Sequence, residues 1–367
     1  MSKLSIFFKS LAVICVIVVA YACERDDAEP EIERSKFSRL YVSFEEYQTS
    51  NTGRADTNIR VIYPADSSEF KFAMRHISQA EGGATIYFNP YLRHVIQASA
   101  NKPGRTDTAV YMMSLGDKTG LLTNSNKLGN QAFSFVRGLT YHPMTQSLYV
   151  VESQGINAGI YVINRPANKR GHARPIAKFK TPGLETWGAV IANERIFMSN
   201  TKADAGIYVF DDMVNKIKLV NKADSSLTIQ PDRNLLIKDA QNLRGMAYDT
   251  LKNVLAVVDY PNGNETVGAG RVLIFDNFSS LINQAEITPS RIITGAATLL
   301  EQPTDVALDT RKDGKYLYVA DRRAKKVMRF KLDGNGNIAP DKVIDTQNMG
   351  TPVGLALDTR DDSTFGL

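Results

Sequence analysis

Cysteine is almost missing from this chain: Cys15 and Cys23 are the only two in 367 residues, and both lie near the N-terminus. That excludes a disulfide scaffold, so a stable body must rest on an apolar core. Histidine is nearly as scarce. His76, His94, His142 and His172 are the whole set, and their scatter gives no reason to expect a histidine metal centre. There is one tryptophan, Trp187. No GxSxG elbow, GxGxxG turn or P-loop occurs, which removes the sequence signatures of serine hydrolases, dinucleotide enzymes and NTPases. Charge of one sign is lacking as well: 44 Lys and Arg stand against 39 Asp and Glu, so no nucleic-acid partner is expected. Long apolar runs are absent too, the longest being Leu11 to Ala20, too short to span a bilayer comfortably.

What is present begins with that run. Residues 1–22 place Lys3 and Lys9 before the apolar segment and small residues after it, the order of a secretory signal. The sequence Ala20-Tyr21-Ala22-Cys23 resembles the lipobox of bacterial lipoproteins, with Ala20 where leucine is usual. The resemblance implies acylation of Cys23, which would become the first mature residue; cleavage at Ala22 leaving a free thiol is the alternative. Two or three acyl chains, at about 0.8 kcal/mol per buried CH₂, make such an attachment effectively permanent. Removing residues 1–22 takes away Cys15, Lys3 and Lys9 and lowers the net charge of +5 by two. The stretch ERDDAEPE from Glu24 reads as part of a flexible tether over 23–37. Acidic residues directly after the lipidated cysteine resemble the export signals of Bacteroidetes surface lipoproteins. The expected location is therefore the cell envelope, at the outer membrane, facing either the periplasm or the exterior.

The remaining 38–367 is repetitive. Pro303 to Lys331 sets the pattern: an apolar strand PTDVALD, a polar turn, an alternating strand YLYVAD, a basic hairpin and a third strand VMRFK. First strands recur at Gly82, Val136, Thr186, Leu243, Pro303 and Pro352, about 50 to 60 residues apart. Second strands follow as HVIQAS, SLYVVE, RIFMSN, VLAVVD and YLYVAD, and third strands begin at Ala109, Gly159, Gly206, Arg271 and Val327. Fourth strands are expected from Pro175, Asn234, Ser290 and Lys342. Four short strands at this period predict propeller blades. The last unit, PVGLALDT, has almost no chain after it, while Ser38 to Phe44, Asn58 to Pro64 and Glu69 to Arg75 read as second, third and fourth strands without a first. The expected fold is all-β: a six-bladed β-propeller of four-stranded antiparallel blades, closed by strands from both termini.

The recurring apolar-Gly-apolar-Ala-apolar-Asp followed by LYVAD resembles the NHL-repeat and gluconolactonase-like six-bladed propellers, from Ser38 to the end of the chain and most clearly at Pro303 to Lys331. The family resemblance implies a fold and no single activity.

In a propeller the starts of the first strands meet the ends of the second strands at one mouth of the channel. That places Arg137, Trp187, Arg244, Asp305 and Val353 beside Ser99, Glu152, Asn200, Asp259 and Asp321. The candidate binding residues are Arg137, Trp187, Arg244, Asp305, Glu152, Asn200, Asp259 and Asp321. Guanidinium forks suit carboxylate, sulfate or phosphate, and an indole can stack on a sugar face. The competing reading pairs Arg137 with Glu152 and Arg244 with Asp259 as plain salt bridges, with Asp259 and Asp321 capping backbone amides and Trp187 packed. Arg322 to Lys326 adds positive charge near the same mouth. Two activities follow: a binding module for a protein partner or a small anionic or carbohydrate ligand, without cofactor, or the lactonase-like hydrolase or lyase implied by the resemblance. The second would hold Ca²⁺ on Glu152, Asn200 and Asp259.

Overall fold

The computed structural model describes residues 37–360 except 47–56, 103, 105, 203–204, 221–225, 262 and 264–265. The expected signal segment over 1–22, Cys23 and most of the stretch expected to form a tether lie outside these residues. Six sheets surround a central channel. Strands are numbered in chain order, and each blade is given from the axis outward.

Blade 1 joins the two ends of the chain: β27 (Pro352–Asp358), β1 (Arg39–Phe44), β2 (Ile59–Ile62) and β3 (Phe72–His76). Blade 2 is β4 (Gly83–Asn89), β5 (His94–Ser99), β6 (Ala109–Leu115) and β7 (Leu122–Gly129). Blade 3 is β8 (Val136–His142), β9 (Ser147–Glu152), β10 (Gly159–Asn164) and β12 (Ala177–Lys180). Blade 4 is β13 (Thr186–Ala192), β14 (Arg195–Asn200), β15 (Gly206–Phe210) and β17 (Arg233–Ile237). Blade 5 is β18 (Met246–Asp249), β19 (Val254–Asp259), β20 (Arg271–Asp276) and β22 (Arg291–Ile293). Blade 6 is β23 (Pro303–Leu308), β24 (Tyr316–Asp321), β25 (Lys326–Lys331) and β26 (Lys342–Asp345). The closure expected from the orphan strands at each terminus is therefore present: β1 pairs antiparallel with β27 from Arg39–Asp358 to Phe44–Pro352.

Burial falls from the axis outward. The second strands β1, β9 and β19 are buried at every residue, because each is covered on both faces by neighbouring blades, and their sequences are accordingly near-continuous apolar runs. The outer strand β3 alternates half-buried and exposed residues. The core lies in the seams between blades. Ile96, Val110 and Met112 of blade 2 pack on Leu139, Val150 and Ile163 of blade 3, and each later seam repeats the arrangement.

Two features were not expected. The blade 2 outer strand β7 is LTNSNKLG, whose polar residues carry no alternating signal. Three blades also gain a short fifth strand from the following blade: β11 (Gly171–His172), β16 (Ser226–Thr228) and β21 (Glu286–Ile287) lie parallel to β7, β12 and β17. A short helix, α1 (Met213–Lys218), sits between β15 and β17. Side chains clasp neighbouring blades in the other direction, from one blade forward to the next. Arg329 of blade 6 donates to Ala65 O and Ser67 O of blade 1 at 2.8 and 2.7 Å, Arg39 of blade 1 to Asp117 O of blade 2 at 2.7 Å, and Arg233 of blade 4 to Ile282 O of blade 5 at 2.9 Å.

Candidate functional site

The first strands share a local irregularity. In β8, Val136 faces Glu152 while Gly138 faces Val151, so Arg137 is an extra residue. In β23, Pro303 faces Asp321 and Asp305 faces Ala320, leaving Thr304 extra, and β27, β4 and β13 shift register at the same level. A bulge there re-aims one side chain per blade. Ala84, Arg137, Trp187, Thr304 and Val353 accordingly line the channel, a cavity of about 1630 Å³. The residue after the bulge approaches the next first strand so closely that a side chain has little room. A Cβ on Gly138 would lie 2.8 Å from the Ala189 Cβ, and one on Gly245 would lie 2.6 Å from the Asp305 Cα.

Arg137, Trp187 and Arg244 meet as the alignment predicts. They come from adjacent blades 3, 4 and 5, and the two guanidinium carbons lie 4.8 and 4.1 Å from the indole ring. Arg244 also donates to the Tyr260 hydroxyl from Nη2 at 2.8 Å and Nε at 3.2 Å, with its guanidinium carbon 5.3 Å from that ring. It does not pair with Asp259, whose partner is Arg271. A guanidinium over an aromatic face directs its N–H groups edgewise, parallel to the ring rather than into it. Across the mouth, Arg322 of the basic hairpin is held by Glu45 at 2.8 Å, and Arg323 by Glu301 at 3.4 Å.

Asp305 takes the place that glycine holds at Gly138, Gly188, Gly245 and Gly354. Its carboxylate in the channel wall accepts from Leu355 N of blade 1 at 2.8 Å and from Val306 N at 2.9 Å. Burial pushes this carboxyl up to about 7, against the pull of the two amides.

The other four candidates are placed behind the mouth. Glu152, Asn200, Asp259 and Asp321 are at most 2% exposed. Each holds a loop. Glu152 accepts from Ser134 N and Phe135 N; Asp259 from Gln241 N and Asn242 N; Asp321 from Glu301, Gln302, Arg323 and Ala324 N; Asn200 from Lys202 N. Burial raises the Glu152 carboxyl to about 7, opposed by its amide bonds and the charge of Arg137, and raises Asp321 as well. Glu152, Asn200 and Asp259 thus belong to three different blades, with their oxygens directed at backbone amides and, for Asp259, also at Arg271. That donor set does not fit Ca²⁺, and among the described residues no three His, Cys, Asp or Glu side chains gather as a metal site. His142 caps its far-end turn, accepting from Thr145 N at 3.2 Å. Thr304 in the channel wall and the buried Tyr260 that holds Arg244 are residues that the sequence reading missed. Tyr260 directly follows the aligned Asp259, and a polar aromatic just past a second strand was the available signal.

No protein-family model and no curated protein matches the chain. Solved structures do. A candidate 6-phosphogluconolactonase from Bacteroides fragilis superposes with a TM-score of 0.59 at 12% identity, covering 90% of this chain and 100% of that one. A periplasmic gluconolactonase from Pseudomonas aeruginosa gives 0.57 at 13%, covering 88% and 99%. A chain of a nidogen/laminin complex gives 0.55 at 15%, covering 87% and 98%. Identities this low show a shared propeller fold and nothing finer.

Proposed function

We propose that this chain is an envelope-anchored, NHL-like propeller that binds an anionic ligand at the channel mouth, with a sugar acid the best chemical match. The observation carrying this reading is the Arg137–Trp187–Arg244 group, two guanidinium forks flanking an indole at 4.8 and 4.1 Å. The forks suit a carboxylate and the indole a sugar face. Two of the structural neighbours carry gluconolactonase names, which points to the same class of molecule. A thermal-shift screen of gluconate, glucuronate, 6-phosphogluconate and their neutral counterparts tests it. The acids should stabilise the protein and the neutral sugars should not, and Arg137→Ala with Arg244→Ala should abolish the shift. A uniform lack of response, or equal response to neutral sugars, counts against it.

A hydrolytic reading is favoured by the place of the Asp305 carboxyl in the channel wall, where burial raises it to about 7. It would act as a metal-free general base toward a lactone. Hydrolysis of δ-gluconolactone above the spontaneous rate, lost in Asp305→Asn, would support it; a rate equal to buffer would end it.

A further inference from the structure

Phe37, the first described residue, and the Arg137–Trp187–Arg244 mouth lie at opposite ends of the channel. Arg39, the first residue of β1, pairs with Asp358, the last residue of β27, and Phe37 N donates to Arg360 O at 2.9 Å. First strands run away from the Arg137–Trp187–Arg244 mouth, so Phe37 stands at the far end. The 36 residues before it, with Leu11 to Ala20 and Cys23, join the domain on that face. From Cys23 to Phe37 the chain can reach at most roughly 50 Å.

The same face carries apolar side chains on its turns. Tyr91, Met144 and Leu251, between first and second strands of blades 2, 3 and 5, are 55, 88 and 69% exposed and rim the far opening of the channel. Leu121 and Leu219, between third and fourth strands of blades 2 and 4, are 56 and 65% exposed. Antiparallel connection puts both kinds of turn at one end. The charges there are mixed: Lys312 adjoins Asp313, Lys216 pairs with Asp232 and Arg93 with Asp117. Attraction to anionic lipid is therefore not the driving contact.

We infer that this end of the propeller rests on a lipid surface, with Tyr91, Met144 and Leu251 in the headgroup region and the Arg137–Trp187–Arg244 mouth turned toward solution. The inference rests on the lipoprotein reading of Cys23. Apolar tips on a short tether fix the orientation that the tether alone would leave free, because each tip reaches the interface without unfolding anything. The mouth, one channel length away, stays open to ligand.

Ile156, 93% exposed on a mouth-end loop of blade 3, is an apolar control for Met144. The full-length protein, produced in a bacterial host, is reconstituted in phosphatidylethanolamine–phosphatidylglycerol vesicles after mass analysis of the Cys23 peptide. Nitroxide labels on Met144→Cys, Leu251→Cys and Ile156→Cys are read by power saturation with oxygen and a water-soluble nickel complex. On reconstitution the labels at 144 and 251 should lose nickel access and gain oxygen access, unchanged by high salt, while the label at 156 stays as in solution. An unacylated Cys23 overturns the lipoprotein reading and this orientation together. An acylated Cys23 with water-exposed labels at 144 and 251, or with 156 at the interface, overturns the orientation alone.

Discussion

Arg311 and Arg360 at the far end of the channel and Arg244 at the mouth are held in opposite ways. At the far end, Arg311 and Arg360 sit two residues after Asp309 and Asp358, and each Nε donates back to that carboxylate at 2.9 Å. Each also reaches the next blade, Arg311 to Asp66 at 2.6 Å and Arg360 to Asp117 at 3.1 Å. Lys252 joins the same belt through Asp249 at 2.9 Å and Asp309 O at 2.8 Å. Blades 5, 6, 1 and 2 are thus tied across the seams where the two termini close the ring. At the mouth, Arg244 has rings and a hydroxyl for partners and, among the described residues, no carboxylate in ion-pair range. A cation satisfied by buried acids is committed to the fold; one stacked on an indole keeps its charge available.

That contrast is sharpest for Arg360. Arg360→Ala leaves Asp358, fully buried, with the residue-360 amide and Arg39 at 3.6 Å as its one remaining cation among the described residues, and should cost about 3 kcal/mol or more in urea unfolding. Gly245→Ala, at the seam of blades 5 and 6, puts a Cβ 1.9 Å from the Asp305 carboxylate and should cost about 1–3 kcal/mol, with loss read as a lowered urea midpoint.

The next effect depends on pH. The Glu152 and Asp305 carboxyls lie at about 7 in the folded protein, against about 4.3 and 3.9 when unfolded. Between those values the native state binds more protons than the unfolded one, so stability falls as pH rises from about 4 to about 7 and then levels. Melting should be higher at pH 5.5 than at pH 8, and Glu152→Gln or Asp305→Asn should flatten the slope. A melting temperature that climbs over this range contradicts the assignment. Smallest is Arg244→Ala, expected to cost less than about 1 kcal/mol, because it removes cation–π contacts and no buried ion pair. An unfolding loss equal to that of Arg360→Ala would erase the distinction between the two ends.

Much of this was legible in the residues. PTDVALD and PVGLALD carry strand period, bulge and terminal aspartate in one string, so blade number, closure and the meeting of Arg137, Trp187 and Arg244 followed from alignment alone. The depth of Glu152, Asp259 and Asp321 did not. Alignment puts second-strand ends beside the mouth, but those strands lie one inter-strand spacing, about 4.8 Å, farther out, where loop amides claim the carboxylates. Outer features were also hidden. β7 is polar, and β11, β16 and β21 are two or three residues held only by backbone pairing, which leaves no side-chain signature.

Trp187 is the only tryptophan, so the protein's indole emission reports on the mouth directly. Titrating wild-type protein with glucuronate and, in parallel, glucose should give a saturable change in emission with the acid alone. The change should vanish in Arg244→Ala while persisting in Lys312→Ala at the far end. No change with any sugar acid, or the same change with glucose, would contradict a mouth built to take an anion.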